Sequence, residues 1–228
     1  PPLMGYTASL AGWVPGPGGL MAMTSMPIAG RLVGRVNPKG LLFAGVMITA
    51  YSVWMMSLFN LSVDFDTVAW PRVVMGFGMG LVFVPLTTLT MSWVRKEEMG
   101  NATSVFNLLR MLGGSFGVAF ASTLVSRRAQ FHQARLAEGM SVLDRNFQEA
   151  VPLVSDILKG QGFPPSELDG GTLALLYRKL VTEATMMAFN DTFFVLAVLM
   201  ACSGLLVILM KRSHETAGSG RAQPVVAE

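Results

Sequence analysis

The residue with the clearest potential for chemistry is Arg110, the one charged side chain in the apolar stretch 102–126. A guanidinium at the centre of a bilayer costs about 2.5–3.5 kcal/mol on insertion scales, so it must face a cavity or a partner. Asn107 lies one helical turn earlier on the same face. Two interpretations stand. Either the pair lines a pathway, where it binds anionic or polar groups or modulates a titrating acid, or it clamps helices together through a carboxylate or carbonyl groups.

Asp191 is the acid of the last apolar stretch, 186–210. It lies roughly 7–8 Å from Met186 along the helix axis, near the external end of that stretch. Either it takes up protons within the membrane, or it is wetted at the interface and caps the start of the helix. We expect Asp191 and Arg110 to lie at different depths, so a direct ion pair between them is not predicted.

Pro85 interrupts the apolar stretch 73–94 and is followed by Thr87 and Thr88. A proline inside a helix frees a backbone carbonyl and bends the helix. Threonine hydroxyls can bond the freed carbonyls or a ligand. The segment is therefore either a kinked wall of a cavity or a purely structural bend.

Enzyme chemistry finds no support in the sequence. There is no glycine-rich phosphate loop with its lysine, and no set of serine, histidine and aspartate within plausible reach. The two histidines, His132 and His214, are far apart in polar segments, and the single cysteine, Cys202, excludes a disulfide or zinc framework within one chain. We expect no metal, no cofactor and no catalytic residue.

Composition points to a membrane protein. Of the 228 residues 52% are hydrophobic and 14% charged, the mean hydropathy is +0.51 and the net charge is +3. Soluble domains carry about 25% charged residues. Lysine and arginine stand mostly at the ends of apolar stretches, which fits membrane topology rather than nucleic-acid binding.

Five stretches are long enough to cross about 30 Å of hydrocarbon as helices. We therefore predict an all-α integral membrane protein with a long external helical loop at 127–185 and a disordered cytoplasmic tail at 211–228. The first stretch is rich in proline and glycine, and we expect it to be kinked or to start late. The predicted spans are 12–30, 41–63, 73–94, 102–126 and 186–210.

Basic residues in the short loops set the orientation. Arg31, Arg35 and Lys39 follow the first span, and Arg95 and Lys96 follow the third. These loops and the C-terminus are predicted to be cytoplasmic, which leaves the N-terminus and the 127–185 loop outside. The loop either rests on the membrane surface or its own protein, or docks an external partner.

Small residues spaced by four allow spans to pack closely in lipid. Gly76 and Gly80 form such a pair in the third span, and Gly113 and Gly117 form another in the fourth. We interpret both pairs as helix-packing faces.

Three segments carry a family resemblance. The basic loop with Gly30, Arg31, Gly34 and Arg35 resembles a loop motif of the major facilitator superfamily. Residues 64–88 contain Ala-Trp-Pro and Val-Pro-Leu-Thr-Thr, and residues 107–117 contain Asn-Leu-Leu-Arg and Gly-Gly-Ser-Phe-Gly. With the external loop, these closely resemble the C-terminal half of the fourteen-helix EmrB/QacA branch of drug:proton antiporters.

This resemblance implies a bundle that completes a proton-driven exporter of hydrophobic or cationic drugs in a bacterial inner membrane. It implies an N-terminal half of nine further helices and, in Gram-negative bacteria, a periplasmic adaptor and an outer-membrane channel. The family's coupling acids lie mainly in the N-terminal half, and Gly34 stands where the loop motif usually has an acid. Two alternatives remain, an exporter of a metabolite, siderophore or lipid-like compound, and a fragment that is inactive alone.

Overall fold

A computed structural model describes residues 15–60, 65–92, 94–138, 145–160 and 168–209, with the single positions Trp13 and Pro164. Within these ranges the chain is helical throughout its regular structure, and no strand occurs there. The predicted tail at 211–228 and the span residues 12, 14, 61–63, 93 and 210 lie outside the described residues. The helices are α1 Gly16–Val33, α2 Pro38–Met56, α3 Phe65–Met91, α4 Met99–Glu138, α5 Arg145–Gly160 and α6 Leu168–Leu209, with a 3-10 turn at Lys96–Glu98.

The loop between α1 and α2 is short because α2 has a strong start signal. Asn37 accepts a hydrogen bond from the backbone N–H of Lys39 at 3.0 Å, and Pro38 occupies the first helical position, where its missing N–H costs nothing. At the other end, α1 closes with Gly34 in a right-handed conformation, φ −77°. Four residues therefore suffice to reverse the chain direction.

Helix α3 lies between α1 and α2 and packs closely on both. A methyl group added at Gly76 would collide with the backbone of Gly18, and one added at Gly80 with the side chain of Ser25, both on α1. The neighbouring Gly78 faces Thr49 on α2 in the same way. Glycines on two sides of α3 thus let three helix backbones approach one another.

Packing then continues in the order α3, α2, α6 and α4. Gly204 of α6 approaches Val46 of α2, where an added methyl would stand 3.2 Å from the valine side chain. At the far end of α2, Asn190 of α6 donates from Nδ2 to the carbonyl of Phe59 at 2.6 Å. Helix α5 packs on α6, with Leu158 buried between them.

The all-α membrane architecture predicted from composition is confirmed. Four helices in the described part of the chain are long and apolar enough to cross a membrane, namely Pro38–Met56, Asp66–Met91, Lys96–Glu138 and Leu168–Leu209. Helix α1 contains residues 16–30 of the first predicted span. It is not among the four, because its glycines, prolines and Arg31 make it less apolar, and its crossing of the membrane stays a prediction.

Two helices run farther than the sequence pattern suggested. Helix α4 continues past Ser126 to Glu138, and α6 begins at Leu168, so both ends of the loop predicted at 127–185 belong to these two long helices. The polar residues after Ser126 continue the same helix instead of starting a new one. The positions at which the membrane surface crosses α4 and α6 remain predictions.

Candidate functional site

Helix α4 is the least covered of the long helices. None of its residues is buried, and it makes few contacts with α3, its neighbour in sequence. Arg110 and Asn107 are both exposed on it. A methyl group placed at Gly113, Gly114 or Gly117 would have no atom within 4 Å. These three glycines, with Asn107 and Arg110, therefore border an open face of α4 in this chain.

Arg110 nevertheless has a defined position. Its guanidinium carbon lies 6.0 Å from the ring centroid of Phe83 on α3, a distance at which a cation is attracted to the face of an aromatic ring. Within the described residues, no ion pair involves Arg110. The cation is therefore held beside an aromatic ring and remains available to a further partner.

Phe83 stands two residues before Pro85, which is fully buried inside α3. Thr87 donates its hydroxyl to the carbonyl of Val84 at 2.9 Å and lies 3.0 Å from that of Phe83, while Thr88 donates to Val84 at 2.9 Å. The threonine hydroxyls thus support the backbone around the proline. Both side chains are also exposed, so their oxygens remain free to accept a hydrogen bond.

Asp191 lies far from this site and has its own partners. Its Oδ2 lies 2.8 Å from Nε2 of His132 and 3.6 Å from a guanidinium nitrogen of Arg128, both on α4. Arg128 follows Arg110 by 18 residues, which is about 27 Å along a helix. The structure therefore does not pair Arg110 with Asp191.

The sequence interpretation missed the roles of Arg128 and His132. They are spaced by four on α4, so their side chains lie on one face. The fourth and fifth predicted spans run in opposite directions, so the end of one meets the start of the other. That antiparallel arrangement was the signal that could have placed Arg128 and His132 beside Asp191.

The basic loop after α1 is open to solvent. Arg31 and Arg35 are exposed, and neither has an acidic partner within the described part of the chain. Gly30 has nothing within 4 Å of an added methyl, and Gly34 has only the Arg31 carbonyl at 3.9 Å. The loop brings two cations to one end of the bundle without burying them.

Metal chemistry has no site among the residues that the structure describes. No group of three or more histidine, cysteine, aspartate or glutamate side chains in that part could hold a metal ion. Cys202, the single cysteine, is exposed on α6.

The sequence profile of the Major Facilitator Superfamily matches residues 2–118, just over half of the chain. The chain belongs to this superfamily. It is a multi-pass membrane protein of a transporter family and not of an enzyme family. The resemblance that the loop motif and the segments 64–88 and 107–117 carried is confirmed.

Curated relatives place the chain more narrowly within the superfamily. It is 28% identical over 217 residues to the fatty acid resistance protein FarB of Neisseria gonorrhoeae, covering 95% of this chain and 41% of the relative. It is 28% identical over 207 residues to the multidrug export protein EmrB of Escherichia coli K12, covering 90% and 38%. The colistin resistance protein EmrB of Acinetobacter baumannii is 23% identical, covering 86% and 38%.

These superfamily members are all much longer than this chain. The chain spans about two fifths of the length of the relatives it matches.

Proposed function

We propose that this chain is the C-terminal membrane bundle of a proton-coupled exporter that moves hydrophobic or cationic small molecules outward across a bacterial inner membrane. The observation that carries the proposal is the open face of α4, with Arg110 on an apolar helix and no covering helix in the described residues. A transporter requires such a surface at the boundary between its two halves, because substrate passes between them.

The first supporting argument concerns the cost of leaving this face open. Arg110 facing lipid would cost several kcal/mol. A row of small residues offers little surface for van der Waals contact with lipid chains. Gly113 and Gly117 would instead let another helix approach closely. The N-terminal half of the same transporter is therefore the proposed partner of α4, and the lipid bilayer surrounds the remaining helices.

The second argument concerns the site beside that face. Phe83 and Arg110 place an aromatic ring and a cation together, and Pro85 follows Phe83 by two residues on α3. The exposed oxygens of Thr87 and Thr88 add hydrogen-bond acceptors one turn away. An amphipathic molecule needs this combination of apolar surface and a few polar groups. We assign these residues, with Asn107, to the wall of the substrate pathway.

The external part of the chain is the proposed contact for a periplasmic adaptor. Helices α5 and α6 expose large apolar side chains beyond the predicted membrane boundary, among them Leu153, Ile157, Leu173 and Tyr177. Exposed apolar patches of this kind mark interaction surfaces. Because several of them lie on two adjacent helices, this surface is suited to bind an external protein or to rest on the membrane surface. These are the two alternatives that the sequence left open for the 127–185 loop.

A second candidate function is favoured by the charge of Arg110. A guanidinium in the pathway attracts a carboxylate or phosphate and repels a cation. One relative is named for fatty acid resistance. The alternative substrate is therefore an anionic amphiphile with an apolar chain, which would place its head on Arg110 and its chain on Phe83.

One experiment separates the two candidates. The full-length transporter that contains this chain is expressed in a strain lacking its major efflux pumps, and resistance is measured for a lipophilic cation and for a long-chain fatty acid. Resistance to the cation that a protonophore abolishes supports the first proposal. Resistance to the fatty acid alone supports the second. No protection against either compound, with the protein present in the membrane, would contradict both.

The proposed topology makes a separate prediction. Asp169→Cys, in a chain with Cys202→Ala, is expected to react with an impermeant maleimide in intact cells whose outer membrane has been permeabilised. Asp169 is exposed in the first turn of α6, on the predicted external side. Lys96→Cys in the same background is the matched control, since it is equally exposed on the predicted cytoplasmic side and should react only after lysis. The reverse pattern would invert the topology.

A further inference from the structure

One part of the contact between α4 and α6 brings three ionisable side chains together. Oδ2 of Asp191 on α6 lies 2.8 Å from Nε2 of His132 and 3.6 Å from a guanidinium nitrogen of Arg128, both on α4. The side chains are partly exposed, 20% for His132 and 36% for Asp191. The described helices therefore leave one side of the imidazole open while it is in contact with the carboxylate.

We propose that His132 and Asp191 form an external proton-binding site that fastens α4 to α6. Histidine is the side chain whose charge ordinarily changes between about pH 5 and pH 8. When the imidazole takes a proton from the external solvent, it becomes a cation that donates from Nε2 to the carboxylate. The hydrogen bond is then charge-assisted, and charge-assisted bonds are roughly twice as strong as neutral ones.

Arg128 has a different part in the same contact. Its guanidinium keeps its charge at any physiological pH, so its attraction to Asp191 does not vary with pH. The carboxylate is closer to His132, at 2.8 Å, than to Arg128, at 3.6 Å.

Other charged residues stand on the packed helices, among them Arg127 on α4 and Asp169, Arg178 and Lys179 on α6. Helix α2 carries a single charged residue, Lys39, and it stands at the opposite end of that helix. Arg135 pairs with Glu138 on α4 at 3.8 Å, and Lys159 pairs with Asp156 on α5 at 2.9 Å. On α6, Glu183 precedes Asp191 by two turns. Among these charged groups, Arg128 is the one that contacts Asp191 in the described residues. The strength of the α4–α6 contact is therefore expected to change with pH through His132 and Asp191, while the charge of Arg128 stays constant.

Asn190 connects this contact to a third helix of the bundle. It lies next to Asp191 on α6 and bonds the Phe59 carbonyl at the end of α2. Two adjacent residues of α6 thus hold α2 on one side and α4 on the other. Because α4 carries the open face with Arg110, a proton bound at His132 stabilises the position of the helix that borders the pathway. This consequence for transport and the external position of the site rest on the proposed function, whereas the contact between His132 and Asp191 does not.

The test uses a second contact between the same helices as its reporter. Gln133 and Tyr177 lie next to the site and are joined by a hydrogen bond of 2.7 Å. Gln133→Cys and Tyr177→Cys, with Cys202→Ala, are combined in the full-length transporter in membrane vesicles. Cross-linking by a short bis-maleimide is measured from about pH 8 to about pH 6, the range in which histidine ordinarily takes up its proton. Each rate is divided by that of the same protein with His132→Gln, which cancels the pH dependence of the thiol reaction.

The ratio is expected to rise about twofold to fivefold as the pH falls, as for an exposed ion pair. Adding Asp191→Asn should remove the rise, while Arg128→Gln should preserve it, because the titrating group remains. A flat ratio in the presence of Asp191 and Arg128 would overturn the proposal, and so would a rise that survives Asp191→Asn. If Asp191→Asn does not reach the membrane, Asp191→Glu replaces it and should keep the rise; a flat ratio there would also overturn the proposal.

A transport measurement then separates this site from the proposed function. Export by the wild type should increase relative to His132→Gln as the external medium is acidified. Absence of export by the wild type would contradict the proposed function and leave the cross-linking result standing. Export with identical pH profiles in the two proteins would show that the proton site has no part in transport.

Discussion

Arg110→Ala is expected to abolish drug resistance in the full-length transporter without changing its abundance in the membrane. The guanidinium stands beside Phe83 on the open face of α4 and has no ion-pair partner in the described residues. Hydrogen bonds to charged groups contribute about 1.5–3 kcal/mol, which corresponds to a loss of roughly tenfold to more than a hundredfold in substrate binding. Resistance and membrane abundance are measured on the same cells.

Two companion variants sharpen this test. Arg110→Lys keeps the charge and loses the planar fork, so it should retain part of the resistance if charge is what substrate meets. Arg127→Ala removes an arginine from the same helix, beyond the apolar stretch, and should leave resistance close to the wild-type level. Wild-type resistance in Arg110→Ala would remove Arg110 from the transport mechanism.

The second large effect is a loss of stability on replacing Gly76, which is compared with Gly113, a glycine in a similar sequence pattern. Gly76→Val would place its side chain against the backbone of Gly18, which cannot give way as a side chain can. Overpacking of well-packed interiors costs about 1–3 kcal/mol and occasionally more, and contact with backbone belongs at the upper end. We expect Gly76→Val to abolish the monodisperse peak of the detergent-purified 228-residue chain in size-exclusion chromatography.

Gly113→Val is the matched control, because nothing lies within 4 Å of that position in this chain. The isolated chain should tolerate the valine, with the same elution profile as the wild type. In the full-length transporter the same variant should lose transport, since the covering helix would meet the new side chain. Equal tolerance of valine at both positions in the isolated chain would contradict the packing described for α3.

Much of the fold could be predicted from the position of the long uncharged stretches in the sequence. Uncharged stretches predicted the cores of α2, α3, α4 and α6, because a membrane helix cannot bury charge cheaply. The helix ends were harder to predict. Arg127 and Arg128 end the apolar stretch, but an arginine is as good a helix former as most residues. Charge thus marked the expected membrane boundary and said nothing about where α4 stops.

The candidate site was predictable only in part, for a related reason. Arg110 stands out in the sequence because its cost in lipid is local and large. Asp191 also stood out, but its contact with His132 joins residues 59 positions apart and depends on how α4 and α6 pack. Likewise, Gly80 and Gly113 share one sequence pattern. Only the packing shows that the first is enclosed by α1 and the second is not.

The lengths of α4 and α6 have a mechanical consequence. Helices of 40 and 42 residues measure about 60 Å, twice the hydrocarbon thickness. A continuous helix is stiff, so a small tilt of its buried half swings the protruding half through a larger arc. With the membrane boundary predicted near residues 126 and 186, the two helices would act as a lever that converts a rearrangement inside the bilayer into a larger displacement outside it. A nanobody raised against the protruding tip would report the transporter's state from the outside without touching the cargo route.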